Sequence, residues 1–393
     1  MGALSKQMEA VIAALGNFAT FGTDESLWEQ LRRPEACDFM FGNPHERAPQ
    51  AYVDALVRGA EPTGKDHYAY TQDLPQATNA IAAGLADRFG LPFGADDIHM
   101  TNGNFAGLAV ALRTVVDVGD EVIFVSPPWF FYETLIVAAG ATPVRVYADR
   151  ERSFDLDLEA IEAAITPRTR AIIVNSPHNP SGRIYGPALL TELATLLETA
   201  SARNDRRIFL LSDEAYNRIV FEGHTFTTPV AYYPHSFLLY TYAKTLLAPG
   251  SRLGYLATPP GMPEAEELRL GLQIGQITYG WAYPVSLLQH AVPELEAMTV
   301  DIQALQRRRD LLVSTLREQG YEAVEPEGTF YIIVRSPLAD DERFCEVLRE
   351  HDVFVLPGAM FEMPGWFRIS VTANDDMVER ALPGFGKAIQ EAR

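Results

Sequence analysis

A lysine and an arginine eight residues apart carry the strongest chemical signal in the chain. Phe237-Leu238-Leu239-Tyr240-Thr241-Tyr242-Ala243 runs without a charge into Lys244, and Arg252 follows between Gly250 and Gly254. An apolar run with no alternation reads as a strand buried on both faces. A lysine at the end of such a strand is costly unless it is neutralised, paired or used covalently. Desolvation lowers a lysine's pKa, and a neutral amine attacks carbonyls. Glycines flanking Arg252 permit close approach of a ligand, and a guanidinium binds phosphate through two parallel hydrogen bonds. Charged side chains are seldom buried, so the pair by itself is also compatible with an ordinary surface loop.

Other polar residues fall where apolar runs end. Ile208–Leu211 leads into Ser212-Asp213-Glu214-Ala215-Tyr216, and a carboxylate directly after a buried strand needs a partner. Ala171–Val174 leads into Asn175-Ser176-Pro177-His178-Asn179-Pro180-Ser181-Gly182, a rigid turn that aims Asn179 above the strand. Trp129 follows Glu121–Val125, as a flat wall for an aromatic ligand or as core. Thr101-Asn102-Gly103-Asn104-Phe105-Ala106-Gly107-Leu108 follows a strand-like Ile98–Met100. A glycine turn into a helix offers free N–H groups and the positive end of the dipole, which suits phosphate; an ordinary N-cap turn is the plain alternative. The segment is not GxGxxG, which argues against a Rossmann cofactor. Arg368 lies in an apolar strand, Trp366–Val371, where it needs an ion pair or a ligand. Gly42 sits in the short strand and turn Asp38–Pro44.

The elements that position these residues alternate strand and helix. Strand-like runs at 121–125, 144–147, 171–174 and 208–211 are separated by helical spacing at 156–165 and 187–200. This predicts a mostly parallel sheet covered by helices, with ligands at the carboxyl ends of its strands. Residues 1–30 read as amphipathic helix. From about 295 a long helix through Arg307–Arg309 and shorter strands predict a small α+β unit. The expected division is a large unit over 46–294 and a small one from 1–45 with 295–393.

At 393 residues two domains are the prior. Apolar residues make up 47% and charged residues 21%, as in a globular protein. A net charge of -20 argues against nucleic acid and anionic membranes, so local cation sites must be specific. Two cysteines, Cys37 and Cys345, make neither a disulfide framework nor a metal spacing, and a reducing cytoplasm is the simple reading. No apolar run reaches transmembrane length.

Taken together, His-Asn-Pro-Ser-Gly (178–182), Asp-Glu-Ala-Tyr (213–216) and Thr-x-x-Lys with Arg252-x-Gly resemble the class I/II pyridoxal-phosphate aminotransferases of fold type I, over about residues 38 to 375. The resemblance implies a mostly parallel seven-stranded sheet in the large unit. It implies pyridoxal 5'-phosphate on Lys244 as a Schiff base, and Asp213 against the pyridinium nitrogen. It further implies Asn179 and Tyr216 on the phenolic oxygen, Trp129 on the ring, and Arg252, Thr241 and the Gly103-Asn104-Phe105 backbone on the phosphate. Arg368, with Gly42 and Asn179, would take the substrate carboxylate. Tyr68, six positions before Leu74-Pro75, would reach the phosphate of a neighbouring subunit, making a homodimer with shared active sites; this chain has Asp73 where the family usually has glycine, and Tyr70 is the second candidate. The implied reaction moves an amino group from an L-amino acid to a 2-oxo acid. A β-lyase, cyclase or oxidase on the same scaffold is the alternative, and a non-catalytic binding module a third. Dicarboxylate-specific relatives carry a second arginine in a partner-lent loop. The comparable loop here, 273–284, has Gln276 at that position, with Tyr279, Trp281 and Tyr283 around it. A neutral, bulky or aromatic donor is therefore expected over aspartate.

Overall fold

The uncharged run before Lys244 becomes an inner strand of the main sheet. The structure, a computed structural model, describes residues 3–21, 25–282 and 284–392. Its strands are β1 (Cys37–Asp38), β2 (Ile98–Thr101), β3 (Glu121–Ser126), β4 (Thr142–Tyr147), β5 (Thr169–Asn175), β6 (Phe209–Asp213), β7 (Ser236–Thr241), β8 (Gly254–Ala257), β9 (Tyr331–Arg335), β10 (Val353–Phe354), β11 (Leu356–Pro357) and β12 (Trp366–Ser370). Seven of them form one sheet in the order β2-β8-β7-β6-β5-β3-β4. Strand β8 runs antiparallel to both neighbours, and every other pairing is parallel.

Strands β3, β6, β7 and β8 are buried at every position because both faces of the sheet are covered. Val122 and Phe124 pack on one side with Leu108, Leu112 and Leu239, while Ile123 and Val125 pack on the other with Leu193 and Leu197. The side-chain period of two thus survives as two apolar cores instead of one wet and one dry face. Crossovers run through helices Asn104–Val115, Tyr132–Ala138, Leu158–Ala164 and Pro187–Arg203. The last begins with proline at its first turn, where a missing N–H costs nothing. The expected helices at 156–165 and 187–200 correspond to two of these.

The carboxyl ends of β3, β5, β6 and β7 point the same way and carry Trp129, Asn179, Asp213 and Lys244. One expectation needs correcting: Lys244 does not sit at a strand end. Strand β7 stops at Thr241, and Lys244 lies on the single helical turn Tyr242–Thr245. Thr241 ends the strand by accepting the Ala243 N–H on its hydroxyl at 3.2 Å. Lys244 itself is half-buried.

The remaining strands among the described residues form two smaller sheets, antiparallel β11-β12-β9 and the parallel pair β1-β10. They pack with helices Ile302–Gln319, Asp341–Glu350 and Asp375–Glu391. Their apolar cluster also takes in Ala215, Tyr216, Ile219 and Phe221, so the C-terminal layer rests directly on the turn that carries Tyr216. The amphipathic helix expected over residues 1–30 is divided into Lys6–Ala14, Phe18–Phe21 and Glu25–Leu31. No helix among the described residues is long and apolar enough to cross a membrane.

Candidate active site

Asp213 is the last residue of β6 and is fully enclosed. Tyr132 donates its hydroxyl to one carboxylate oxygen at 2.5 Å. The other accepts from Asn104 Nδ2 at 2.6 Å and from the Ala215 N–H at 3.3 Å. Burial pushes this carboxyl above its ordinary range, against the pull of Tyr132, the Ala215 N–H, Asn104 and the charge of Lys244. All three direct partners are neutral, so a cationic N–H brought alongside would favour the ionised form.

Next to it, β5 ends in the turn that presents Asn179. Asn175 fixes that turn, accepting the Asn179 N–H at 2.7 Å and donating to the Asp213 carbonyl at 2.8 Å. His178 ties it to the loop before Trp129, with Nε2 3.0 Å from the Pro127 carbonyl and Nδ1 2.6 Å from Ser181 Oγ. Burial lowers the His178 pKa to about 4, so this tether stays neutral at physiological pH. Trp129 meets Phe105 edge-on at 4.8 Å between centroids. Asn104, Phe105, Trp129, Asn175, Asn179, Asp213, Tyr216, Thr241, Lys244 and Arg252 line one cavity.

The two cations that line this cavity, and Arg368 beside its Asn179, have no acidic partner among the described residues. Neither Lys244, Arg252 nor Arg368 makes an ion pair among the described residues, although 52 acidic residues face 32 basic ones. Among the described residues Arg252 bonds carbonyls alone, those of Pro249 at 2.9 Å and Asn102 at 3.4 Å. It lies over Gly103, where a Cβ would come within 2.8 Å of its Nη2. Gly103 adopts φ +80° and opens helix Asn104–Val115, whose first-turn N–H groups have no intrahelical partner. A phosphate is the ligand class that this combination suits.

Arg368 is 2% exposed. It donates to Asn179 Oδ1 at 3.0 Å and to the Met40 carbonyl at 3.1 Å, and its Nε has no partner. The structural ion pair that would have explained it is absent among the described residues. Gly42 lies over Phe330 and Tyr331; a Cβ there would sit 2.4 Å from the Phe330 ring. Tyr216 is buried against Phe330 and Tyr331, with Lys244 Nζ 5.8 Å from its ring centroid.

The sequence candidates Gly103, Asn104, Phe105, Trp129, Asn179, Asp213, Tyr216, Thr241, Lys244, Arg252, Arg368 and Gly42 thus come together. Tyr68 does not join them within one chain: it is 57% exposed and its hydroxyl bonds the Ala60 carbonyl. Tyr70 is 94% exposed. Asp73, in the family's glycine position, accepts the Met100 N–H at 2.8 Å, and burial raises its pKa to about 7. It lines a separate, larger cavity of about 480 Å³ with His99, Arg269 and Gln276. That cavity holds no lysine, so size does not locate the chemistry here. Tyr279 and Trp281 pack on each other at 5.5 Å, away from the Lys244 cavity of their own chain; Tyr283 lies outside the described residues. Sequence reasoning passed over Tyr132 and Tyr331. Each stands in an aromatic run, Trp129–Tyr132 and Phe330-Tyr331, that reads as core.

Comparison with known proteins shows the family to which the chain belongs. The family described as "Aminotransferase class I and II" matches residues 38–385. The aspartate/prephenate aminotransferase of Thermus thermophilus is 33% identical over 363 residues, covering 89% of this chain and 90% of that one. The aspartate/prephenate aminotransferase of Cereibacter sphaeroides is 33% identical over 352 residues, 84% and 85% of the two chains. A solved aminotransferase from Eubacterium rectale superposes with a TM-score of 0.89 over the whole of both chains at 31% identity.

Proposed function

The chain belongs to the class I and II aminotransferase family, which moves amino groups between amino acids and 2-oxo acids, and on that footing we propose how its own residues divide the work around pyridoxal 5'-phosphate. The donor set fits this cofactor. Asp213 offers a buried carboxylate whose direct partners are all neutral, which suits a pyridinium N–H. Asn179 and Tyr216 offer hydrogen bonds to a phenolic oxygen, and Trp129 a face for the ring. Arg252, the Thr241 hydroxyl and the N–H groups at Gly103-Asn104-Phe105 suit the phosphate. When bound, the cofactor supplies an electron sink that makes removal of a Cα proton affordable. Lys244 holds the cofactor between turnovers, then takes the Cα proton on Nζ and returns it later in the cycle. Arg368 takes the substrate α-carboxylate, and Gly42 lets the backbone approach closely beside Phe330 and Tyr331.

The observation that carries this reading is that Lys244 and Arg252, neither in an ion pair among the described residues, line one cavity with the buried Asp213, while Arg368 reaches the Asn179 of the same cavity, in a chain of net charge -20. Borohydride reduction followed by peptide mapping tests it. The cofactor mass is expected on Lys244; a tag on another lysine, or none, overturns it.

A neutral or aromatic donor side chain is the preferred substrate class. Phe105 and Trp129 line the Lys244 cavity, and behind them Phe131, Phe130 and Phe18 continue the aromatic cluster, with centroids 4.3 to 5.3 Å apart along the series. Arg145, in a neighbouring cavity that Trp129 and Phe130 also line, is held by Glu133 at 2.5 Å and Glu362 at 2.8 Å. A distal carboxylate would have to break that pairing. The names of the relatives favour a second reading, with aspartate or prephenate as substrate. The kcat/KM for aspartate against phenylalanine, leucine and methionine, with 2-oxoglutarate or pyruvate as acceptor, separates the two. A tenfold or greater advantage for aspartate would establish the second. A requirement for the acceptor also distinguishes transamination from a lyase, cyclase or oxidase on the same scaffold.

Tyr68 and the loop with Gln276, Tyr279 and Trp281 are assigned to a partner subunit's site, in a homodimer. The chain divides into a large cofactor-binding unit, 46–294, and a small one, 1–45 with 295–393, although apolar clusters cross both boundaries.

A further inference from the structure

Tyr331 has no place in that division of work, yet it touches both halves of it. It opens β9 opposite Ser370 of β12, and Arg368 pairs with Ile333. In an antiparallel pair this register puts Tyr331 and Arg368 on one face, as diagonal neighbours within reach of long side chains. The Arg368 guanidinium carbon lies 3.8 Å from the Tyr331 ring centroid, a cation–π stack. The tyrosine is 3% exposed. Its hydroxyl lies against Gly42, and its ring meets that of Tyr216 edge-on at 5.9 Å between centroids. Gly42 is required for this contact, since a Cβ there would press on the hydroxyl at 3.0 Å.

The charged and titratable groups around the phenol are Lys244, Arg368 and Tyr216, with Asp213 behind Tyr216. Burial raises the Tyr331 phenol, but Lys244, Arg368, Tyr216 and the Gly42 N–H outweigh it, and the net shift is downward. Tyr216 shifts the other way, upward, through burial and through Tyr331. The opposed shifts favour Tyr216 as the donor and Tyr331 as the acceptor between the two phenols. When an acceptor is offered to the Tyr216 hydroxyl, the Tyr216 proton turns to it and the Tyr331 proton takes its place between the phenols. Donation by Tyr331 makes Tyr216 a stronger donor.

We propose that Tyr331 is a positioning residue with two separable jobs: its ring holds Arg368 flat for the substrate carboxylate, and its hydroxyl strengthens the hydrogen bond that Tyr216 gives to the cofactor. The inference rests on the roles assigned above to Arg368 and Tyr216. Two variants of the cofactor-loaded protein separate the jobs. Tyr331→Phe keeps the ring and removes the hydroxyl. The pH midpoint of the bound cofactor's absorbance change is expected to move up by about half a unit or more, because its deprotonated form loses support. The KM for the amino donor should stay within about threefold of wild type. Tyr331→Leu removes both, and should show the same spectral shift with a KM raised about tenfold or more. An unmoved midpoint in Tyr331→Phe, or a KM in Tyr331→Leu equal to that in Tyr331→Phe, overturns the proposal. Such a failure with a normal wild-type cofactor band leaves the assigned function intact. A wild-type protein without that band overturns the function and this inference together.

Discussion

At the scale of single residues, Asp213 decides whether the cofactor can act. Its ionised form is opposed by burial and supported by three neutral hydrogen bonds. Asp213→Asn keeps the shape and removes the charge. It is expected to fold and bind cofactor but to lose at least about a hundredfold in kcat, roughly 3 kcal/mol of barrier; near-native turnover would leave Asp213 a purely structural role. Tyr132 gives a finer test. Its hydrogen bond lowers the Asp213 pKa, and its own phenol is held well above the ordinary value by burial and by Asp213. It therefore remains a donor throughout the working pH range. Tyr132→Phe removes a lowering influence, so the folded-state Asp213 pKa rises and the ionised form is lost at a higher pH. The acid limb of the kcat/KM profile should move upward, with little change on the plateau. A limb that stays put would mean that Asn104 and the Ala215 N–H suffice.

At the scale of elements, much of the site was legible because apolar runs betray buried strands, and polar residues just beyond them must be accounted for. Asp213, Asn179 and Trp129 were found in that way. The position of Lys244 was misread because a run of uncharged residues does not say where a strand stops. The stop comes from Thr241 capping the next turn, together with Gly254 on β8, where a Cβ would lie 2.4 Å from the Tyr240 carbonyl. Neither is visible in hydropathy. The turn itself is anchored from below by Tyr242, which bonds Glu296, itself paired with Arg88 at 2.9 Å and Arg218 at 2.5 Å, a buried network drawn from four distant stretches. Tyr132 and Tyr331 escaped notice for a related reason: Tyr132 opens a helix that reaches Asp213 across the sheet, Tyr331 meets Arg368 through β-pairing, and neither partnership has a spacing in sequence. The turn between β2 and helix Asn104–Val115 makes a sharper prediction. Gly103→Ala puts a side chain at φ +80° and within 2.8 Å of Arg252 Nη2. The backbone strain costs about 1 kcal/mol, and the guanidinium must move off the helix start. Cofactor affinity, followed by titrating the apoprotein, should fall about tenfold or more, while the apoprotein's Tm drops only slightly. Unchanged affinity would detach Arg252 and this helix start from phosphate binding.

At the scale of the whole molecule, one chain brings almost the whole candidate site together, and Tyr68 is the exception. Its exposed ring is edge-on to His67 at 4.7 Å, and His67 in turn stacks on His290 at 3.8 Å. The segment is therefore held in place on the surface and does not fold back toward its own Lys244. Exposed apolar side chains at Val53, Val57, Leu270, Ile274, Ile277 and Val285 lie on segments whose coverage by a second copy would bury them. If the sites are shared across a two-fold axis, lesions on different chains complement each other. A Lys244→Ala chain is inactive, and a Tyr68→Ala chain is expected to be impaired about tenfold or more. In a mixed dimer one site receives both lesions, while the other takes Lys244 from the second chain and Tyr68 from the first, and is intact. Random reassociation of equal amounts makes half of the dimers mixed, each with one good site, so activity should recover to about a quarter of wild type. If each chain built its site alone, every site in the mixture would carry one lesion and nothing would be regained. Activity measured before and after mixing, with subunit exchange confirmed by mass, decides between them, and a mixture that exchanges without recovery removes Tyr68 from the partner's site.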